Sequence, residues 1–513
     1  MIIVVYLMCV IRYWLRLLDN RKGNVNMSKQ SIFPFDIGVV GAFTAPNYGA
    51  HLTQYALYSY LKSKGYSVLM IDKYNVPGLF ITCPYEKEDI CKGYNNLVSM
   101  KELNEVCESF VVGSDQLWNW TIFYNAVYVY TLLFVDSNRR KISYSTSMGK
   151  RNIVITPEES RYMKYALKRF TKISVREESG VDICKERFNV EAEWVMDPVF
   201  LPERSVYDDL IAKSSKNPPE HYIFCYIIFP DEKTYRLIDK IAKKTGWSVV
   251  CVGDAGRYQK QDWKMVLEQD VKVEDWLKLI QNSELVIADS FHAYCFALIF
   301  ERRIISVSNV STRLERMKSI AKNIGLESPV GFNEIDDWSA DQILEYTQRD
   351  YSEINKKLKA QVKRSTDWLE DALHAEVKYD STDELFDAFG AEYIQQKIII
   401  NDLLKDQRKR QLVQDGQFNG EIVLFGVGGH FRNNYKKIAG YVNVDYLSDN
   451  NQEQWNKYIK NKKCIPPTDI SSLKDPLVII TIENPEIVEA VKKQLQSLGV
   501  KRVIDLQAFW ERC

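Results

Sequence analysis

From residue 36 onward, short β-rich apolar runs alternate with stretches whose apolar residues recur at helical spacing. That alternation predicts α/β domains on parallel sheets, because each crossover between parallel strands needs a helix-length connection. DIGVVGAF (36–43) reads as a buried strand, HLTQYALYSYLKSKG (51–65) as an amphipathic helix ending at Gly65, and YSVLMID (66–72) as the next strand. Further strands are expected at 109–113, 141–147 and 172–177, with a helix near 157–169. Pro198 and Pro202 interrupt regular structure in WVMDPVFLP (194–202), a plausible domain boundary. A second unit follows: strand 221–229, helix 231–245, strand 247–254, helix 273–282, strand 284–289, helix 291–300 and strand 303–308.

Residues 340–413 are polar, charged and free of proline, and predict helices that pack back on the two units and then a helical linker. The alternation resumes at 420–513 with EIVLFGVGG, a helix, VNVDYLSDN, LVIITIEN, a helix at 485–498 and KRVIDL. The expected organisation is an N-terminal extension (1–35), a first Rossmann-like domain (36–202), a second (203–340), helices and linker (341–419), and a small Rossmann-like α/β domain (420–513). The apolar run opening MIIVVYLMCVIRYWLRLL is broken by Arg12 and Arg16, too short for a span of about 20 residues. Its charge order is the reverse of a signal peptide. Three readings stay open for 1–26: a start placed upstream of Met27, an interfacial anchor, or a true membrane span.

Lys plus Arg and Asp plus Glu are both 68, so the net charge is zero, which disfavours nucleic acid as a partner. Ten cysteines without a CxxC pair suit a reducing compartment, and five histidines without metal-ligand spacing give no metal site.

Ligands of open parallel sheets bind at the carboxyl ends of the strands. The expected ends carry Asn47, Tyr48 and Gly49 in TAPNYGAH, then Gly113-Ser114-Asp115-Gln116, then Arg176-Glu177-Glu178, then Asp289-Ser290-Phe291-His292. Each has a bland reading: a turn, a cap, a solvated ion pair, or a core histidine in FHAYCFALIF. Four polar groups at equivalent ends across two units favour a shared cleft.

NYGAHLTQYAL (47–57), VVGSDQLWN (111–119), KISYSTSMG (141–149), ISVREESG (173–180), VMDPVFL (195–201) and ADSFHAYCFALIF (288–300) resemble the polysaccharide pyruvyl transferase family in order and interval, over about residues 36–370. The resemblance implies a GT-B-like pair of Rossmann-like domains facing across a cleft. It also implies transfer of pyruvate from phosphoenolpyruvate onto two hydroxyls of a sugar, in a surface polysaccharide or its lipid-linked precursor. Ser290 stands where that family commonly carries an arginine two residues before the histidine. The reactants then suggest roles: His292 as acid or phosphate ligand, Asp115 as base or sugar-hydroxyl partner, and Arg176 as anion anchor. Asn47, Tyr48, Gly49, Gly113, Ser114, Gln116, Asp289 and Ser290 are the remaining substrate-binding candidates. No cofactor or metal is required, with phosphoenolpyruvate as donor substrate.

In the C-terminal unit, Gly426, Gly428, Gly429 and Asp449 form a partial nucleotide fingerprint, with Phe431 where GxGxxG needs glycine. Nucleotide binding and a structural or docking role both remain open. The expected partner is a sugar or lipid-linked oligosaccharide acceptor at a cytoplasmic location, with room for peripheral association with the inner membrane face and for a homo-oligomer. Two alternatives stay open: a GT-B-type glycosyltransferase using a nucleotide sugar, and a non-catalytic sugar- or nucleotide-binding subunit.

Overall fold

The structure, a computed structural model, describes residues 33–512 except 45–46, 73–82, 92, 95, 150, 152, 154, 229–231, 253–264, 269–270, 308–310, 327–334, 378–382, 415–417 and 483. The N-terminal run at 1–26 therefore lies outside the described residues. The chain divides into two compact units, Met1–Tyr393 and Ile394–Cys513, and the helix Glu384–Gln414 runs through the division.

The first unit holds two parallel sheets. The first comprises β1 (Phe35–Val40), β2 (Val68–Ile71), β3 (Cys107–Val112), β4 (Arg140–Thr146), β5 (Lys172–Val175) and β6 (Glu193–Trp194), ordered β2-β1-β3-β4-β5-β6. The second comprises β7 (Tyr222–Tyr226), β8 (Ser248–Val252), β9 (Met265–Glu268), β10 (Leu285–Ala288) and β11 (Arg303–Ser306), ordered β11-β10-β7-β8-β9. Strand order reverses between β1 and β3 in one sheet and between β7 and β10 in the other, and such switch points open crevices for ligands. Val39, Val40, Val111, Val112, Val286 and Ile287 are all buried, as strands covered on both faces require.

Helices begin where side chains can satisfy free N–H groups. Asn47 Oδ1 accepts from the backbone of Gly49 and Ala50, so the first helix spans Tyr48–Ser63 and starts earlier than residue 51. Thr156 and Glu159 form a capping box around Pro157 at the start of Pro157–Lys168. One apolar core runs through both sheets and includes Val39, Val111, Phe224, Trp276, Val286 and Phe296. The helix Tyr351–His374 packs back on both parts: Tyr351 Oη donates to Arg302 O at 2.6 Å, and Met196 N donates to Ser365 Oγ at 2.9 Å. The strand β9 and the helix Ser311–Ile324 were not legible as elements in the sequence.

The second unit has a sheet ordered β14-β15-β13-β12-β16-β17, built from β12 (Ile422–Phe425), β13 (Tyr446–Ser448), β14 (Tyr458–Ile459), β15 (Lys462–Ile465), β16 (Leu477–Ile480) and β17 (Arg502–Asp505). It is parallel except for the β14–β15 edge pair. Its own apolar core includes Leu424, Phe431, Leu447 and Phe509. Among the described residues no helix is long and apolar enough to cross a membrane.

Candidate active site

The carboxyl ends of the two sheets in the first unit face each other, and their polar residues meet around Asp197, just after β6. Asp197 is 1% exposed. Its Oδ1 accepts from Thr53 Oγ1 at 2.8 Å and from Val199 N at 3.1 Å. Its Oδ2 accepts from Ser114 Oγ at 2.8 Å and from Arg176 at 3.3 Å, and His292 Nε2 lies 3.7 Å away. His292 thus reaches across from the end of β10 to a carboxylate of the first sheet. It makes no hydrogen bond through Nε2 there. Its ring lies against Gly49, where an added Cβ would stand 2.0 Å from Nδ1, so only glycine lets the two elements close.

Arg176 leaves β5 and is buried, 1% exposed. It meets three carboxylates: Asp197, Asp115 at 3.4 Å and Glu177 at 3.7 Å. The Phe291 ring lies 4.6 Å from its guanidinium carbon. Asp115 is the member nearest solvent, with a side chain 19% exposed. It holds φ at +98°, a conformation costly for any residue but glycine, and such strain often marks functional positions. Its backbone carbonyl accepts from Leu117 N at 2.7 Å and Ser147 N at 2.9 Å, which locks that turn.

Burial opposes ionisation of Asp197, but His292, Arg176 and Ser114 prevail and hold its carboxyl well below the usual range. Asp115 shows the same balance, burial being outweighed by Arg176 and His292, so it stays ionised to lower pH than a free aspartate. Glu177 moves the other way: burial pushes its carboxyl up, with Arg176 and the bonded Ser147 only partly offsetting it.

The β1/β3 crevice is filled by Gln54, whose Nε2 donates to Ser114 O at 2.8 Å. A Cβ on Gly41 or Gly113 would lie 2.2 Å or 2.5 Å from its Oε1, so a side chain at either position would push the Gln54 amide aside. At the other switch point, Asp289 Oδ1 accepts from Ile228 N at 2.8 Å and ties the end of β10 to the chain after β7.

The structure therefore brings together His292, Asp115, Arg176, Ser114 and Gly49. Asn47 caps the first helix, and Ser290 caps Phe291–Ile299 through Ala293 N at 3.5 Å. Tyr48 Oη donates to Val271 O at 2.8 Å while its ring stacks on Trp276 at 5.5 Å. Gln116 Oε1 accepts from Asn119 Nδ2 at 3.1 Å, beside Gly149. Sequence reasoning missed Asp197, Thr53 and Gln54. The available signal for Asp197 was a lone carboxylate inside the apolar run VMDPVFL, where burial demands partners.

Gly426, Gly428, Gly429 and Asp449 belong to the second unit. Gly426 has φ +94°, and Gly428 precedes the helix Gly429–Ile438 without a side-chain cap. The Asp449 carboxylate accepts from Val427 N at 2.7 Å and Asn451 N at 2.8 Å, so it holds the glycine turn itself. Among the described residues no group of three or more His, Cys, Asp or Glu side chains is arranged to hold a metal ion.

Two Rossmann-like parallel sheets with a buried polar cluster where their carboxyl ends meet define a GT-B-like α/β protein. The polysaccharide pyruvyl transferase family model matches residues 47–311, about half of the chain. The chain belongs to that family. No curated protein sequence matches it. Among solved structures it is similar to the UDP-N-acetylglucosamine 2-epimerases of Methanocaldococcus jannaschii and Rickettsia bellii. The first has 14% identity, covers 65% of this chain and 99% of its own, and has a TM-score of 0.43. The second has 11% identity, covers 65% and 97%, and has a TM-score of 0.40. The wall teichoic acid polymerase TagF is similar at 13% identity, 72% and 96% coverage and a TM-score of 0.41.

Proposed function

We propose that the protein transfers pyruvate from phosphoenolpyruvate to two hydroxyls of a sugar during surface-polysaccharide assembly, forming a ketal and releasing phosphate. The observation that carries this reading is the meeting of His292, from the second sheet, with the Asp115–Arg176–Asp197 cluster of the first, in a chain of this family. Protonation of the donor's methylene carbon creates an oxocarbenium-like centre, which the first hydroxyl attacks. The second hydroxyl then displaces phosphate. Of the two hydroxyl protons, one balances that taken by the methylene and the other leaves with phosphate. His292 is the acid in this scheme, since its Nε2 makes no hydrogen bond and lies 3.7 Å from the Asp197 carboxylate, and Asp115, ionised and nearest solvent, is the base. No metal or cofactor has a step in this scheme. The acceptor is a sugar or lipid-linked oligosaccharide met on the cytoplasmic side, at or near the inner membrane face.

Thermal-shift titration tests the donor. Stabilisation by phosphoenolpyruvate, together with loss of pyruvate ketals from the polysaccharide of a deletion strain by mass spectrometry, is the expected outcome. Stabilisation by a nucleoside diphosphate instead, with ketals intact in the deletion strain, would overturn it.

A further inference from the structure

Arg176 does not present a free positive charge. It is buried and ringed by Asp115, Asp197 and Glu177, and three carboxylates around one guanidinium leave that wall of the cleft net negative. A ligand bearing a carboxylate or phosphate would be repelled there unless another cation faced it. Two further groups act electrostatically on Asp115: His292 and Arg316.

We propose that Arg316 holds the anionic end, a phosphate or carboxylate, of the ligand that enters this cleft; this rests on reading the cleft as the donor site. Arg316 is half-buried, and its guanidinium carbon lies 5.5 Å from the Phe291 ring that Arg176 also approaches. Phe291 directly precedes His292 at the start of the helix Phe291–Ile299. The helix Ser311–Ile324 is anchored by burial and by hydrogen bonds. Leu314, Met317, Ile320 and Ile324 are buried. Glu178, from the first sheet's side, donates its N–H to Ser319 Oγ at 3.3 Å and accepts from Lys322 at 2.8 Å and Asn323 at 3.1 Å. The arginine thus follows the second sheet in sequence yet is latched to the first. A guanidinium offers the paired donors that suit carboxylate and phosphate. Arg316 also lies beyond residues 47–311, so the family match does not assign it.

The test titrates the full chain and Arg316→Ala with phosphoenolpyruvate, UDP and inorganic phosphate by calorimetry, with Lys318→Ala, an exposed change of the same charge on the same helix, as control. The expected result is affinity at least tenfold weaker in Arg316→Ala, partly restored in Arg316→Lys, and unchanged in Lys318→Ala. Equal affinity of the full chain and Arg316→Ala for the anion bound overturns the proposal. If the full chain takes UDP but not phosphoenolpyruvate, the donor reading fails, and the same comparison on UDP still decides Arg316. If it takes none of the three, both fail.

Discussion

Asp197→Asn tests whether the cleft is organised around one buried carboxylate. The change keeps shape and keeps an oxygen for Thr53 and Val199, but turns an NH2 toward Ser114, Arg176 and His292, which now lie at 2.8, 3.3 and 3.7 Å from Oδ2. Removing one partner of a buried ion pair costs about 3–5 kcal/mol. Arg176 keeps Asp115 and Glu177 within 3.7 Å, so part of that loss is recovered and about 2–3 kcal/mol is expected. The pH dependence sharpens the test. The folded carboxyl sits below its unfolded value of about 3.9, so Asp197 contributes stability that is fully present above that pH and is lost as pH falls toward the folded value. Urea unfolding followed by tryptophan fluorescence at pH 7 should show the destabilisation, and a series down through pH 4 should show a flatter acid limb in Asp197→Asn. A variant as stable as the parent with the same acid limb would refute the reasoning.

Gly49→Ala, whose Cβ would stand 2.0 Å from His292 Nδ1, should displace the imidazole and lower turnover at least tenfold, measured as ketal formed per folded molecule. Retained turnover would show that His292 need not sit there. His292→Ala should cost about 10²-fold in turnover, the usual loss for a positioned acid, with the melting temperature little changed; a melting loss with turnover intact would make it a core residue. Arg176→Lys should lose both turnover and stability, because an ammonium cannot span three carboxylates, and a fully stable variant would argue against the network. Burial brings the Lys141 ammonium down to about 7, so the unfolded chain binds more protons between that pH and its ordinary value. Stability should therefore rise with pH from 7 to 9, and Lys141→Met should remove that slope; an identical slope would refute the assignment.

Much of the first unit was legible because local pattern dictates it. Apolar runs such as VVGAF and LVIA must be buried on both faces of a parallel sheet, and caps such as Asn47 and Thr156 satisfy free N–H groups within their own turn. The strand-end rule likewise singled out Asp115, Arg176 and His292 before any geometry existed, because where a strand stops is a local property. What each of these residues does was decided only by the fold. Arg176 read as an anion anchor, yet its charge is absorbed by three carboxylates from three different strand ends. Asp197 sat inside a stretch that read as a boundary, and becomes central only when residues 53, 114, 176 and 292 converge on it. Gly49 looked like part of a ligand turn, and its missing side chain serves a histidine 243 positions away. Sequence pattern encodes backbone hydrogen bonding and burial, which are satisfied between near neighbours. Charge pairing in a buried cleft is settled between residues hundreds of positions apart, and only the packing of the two sheets brings them within reach.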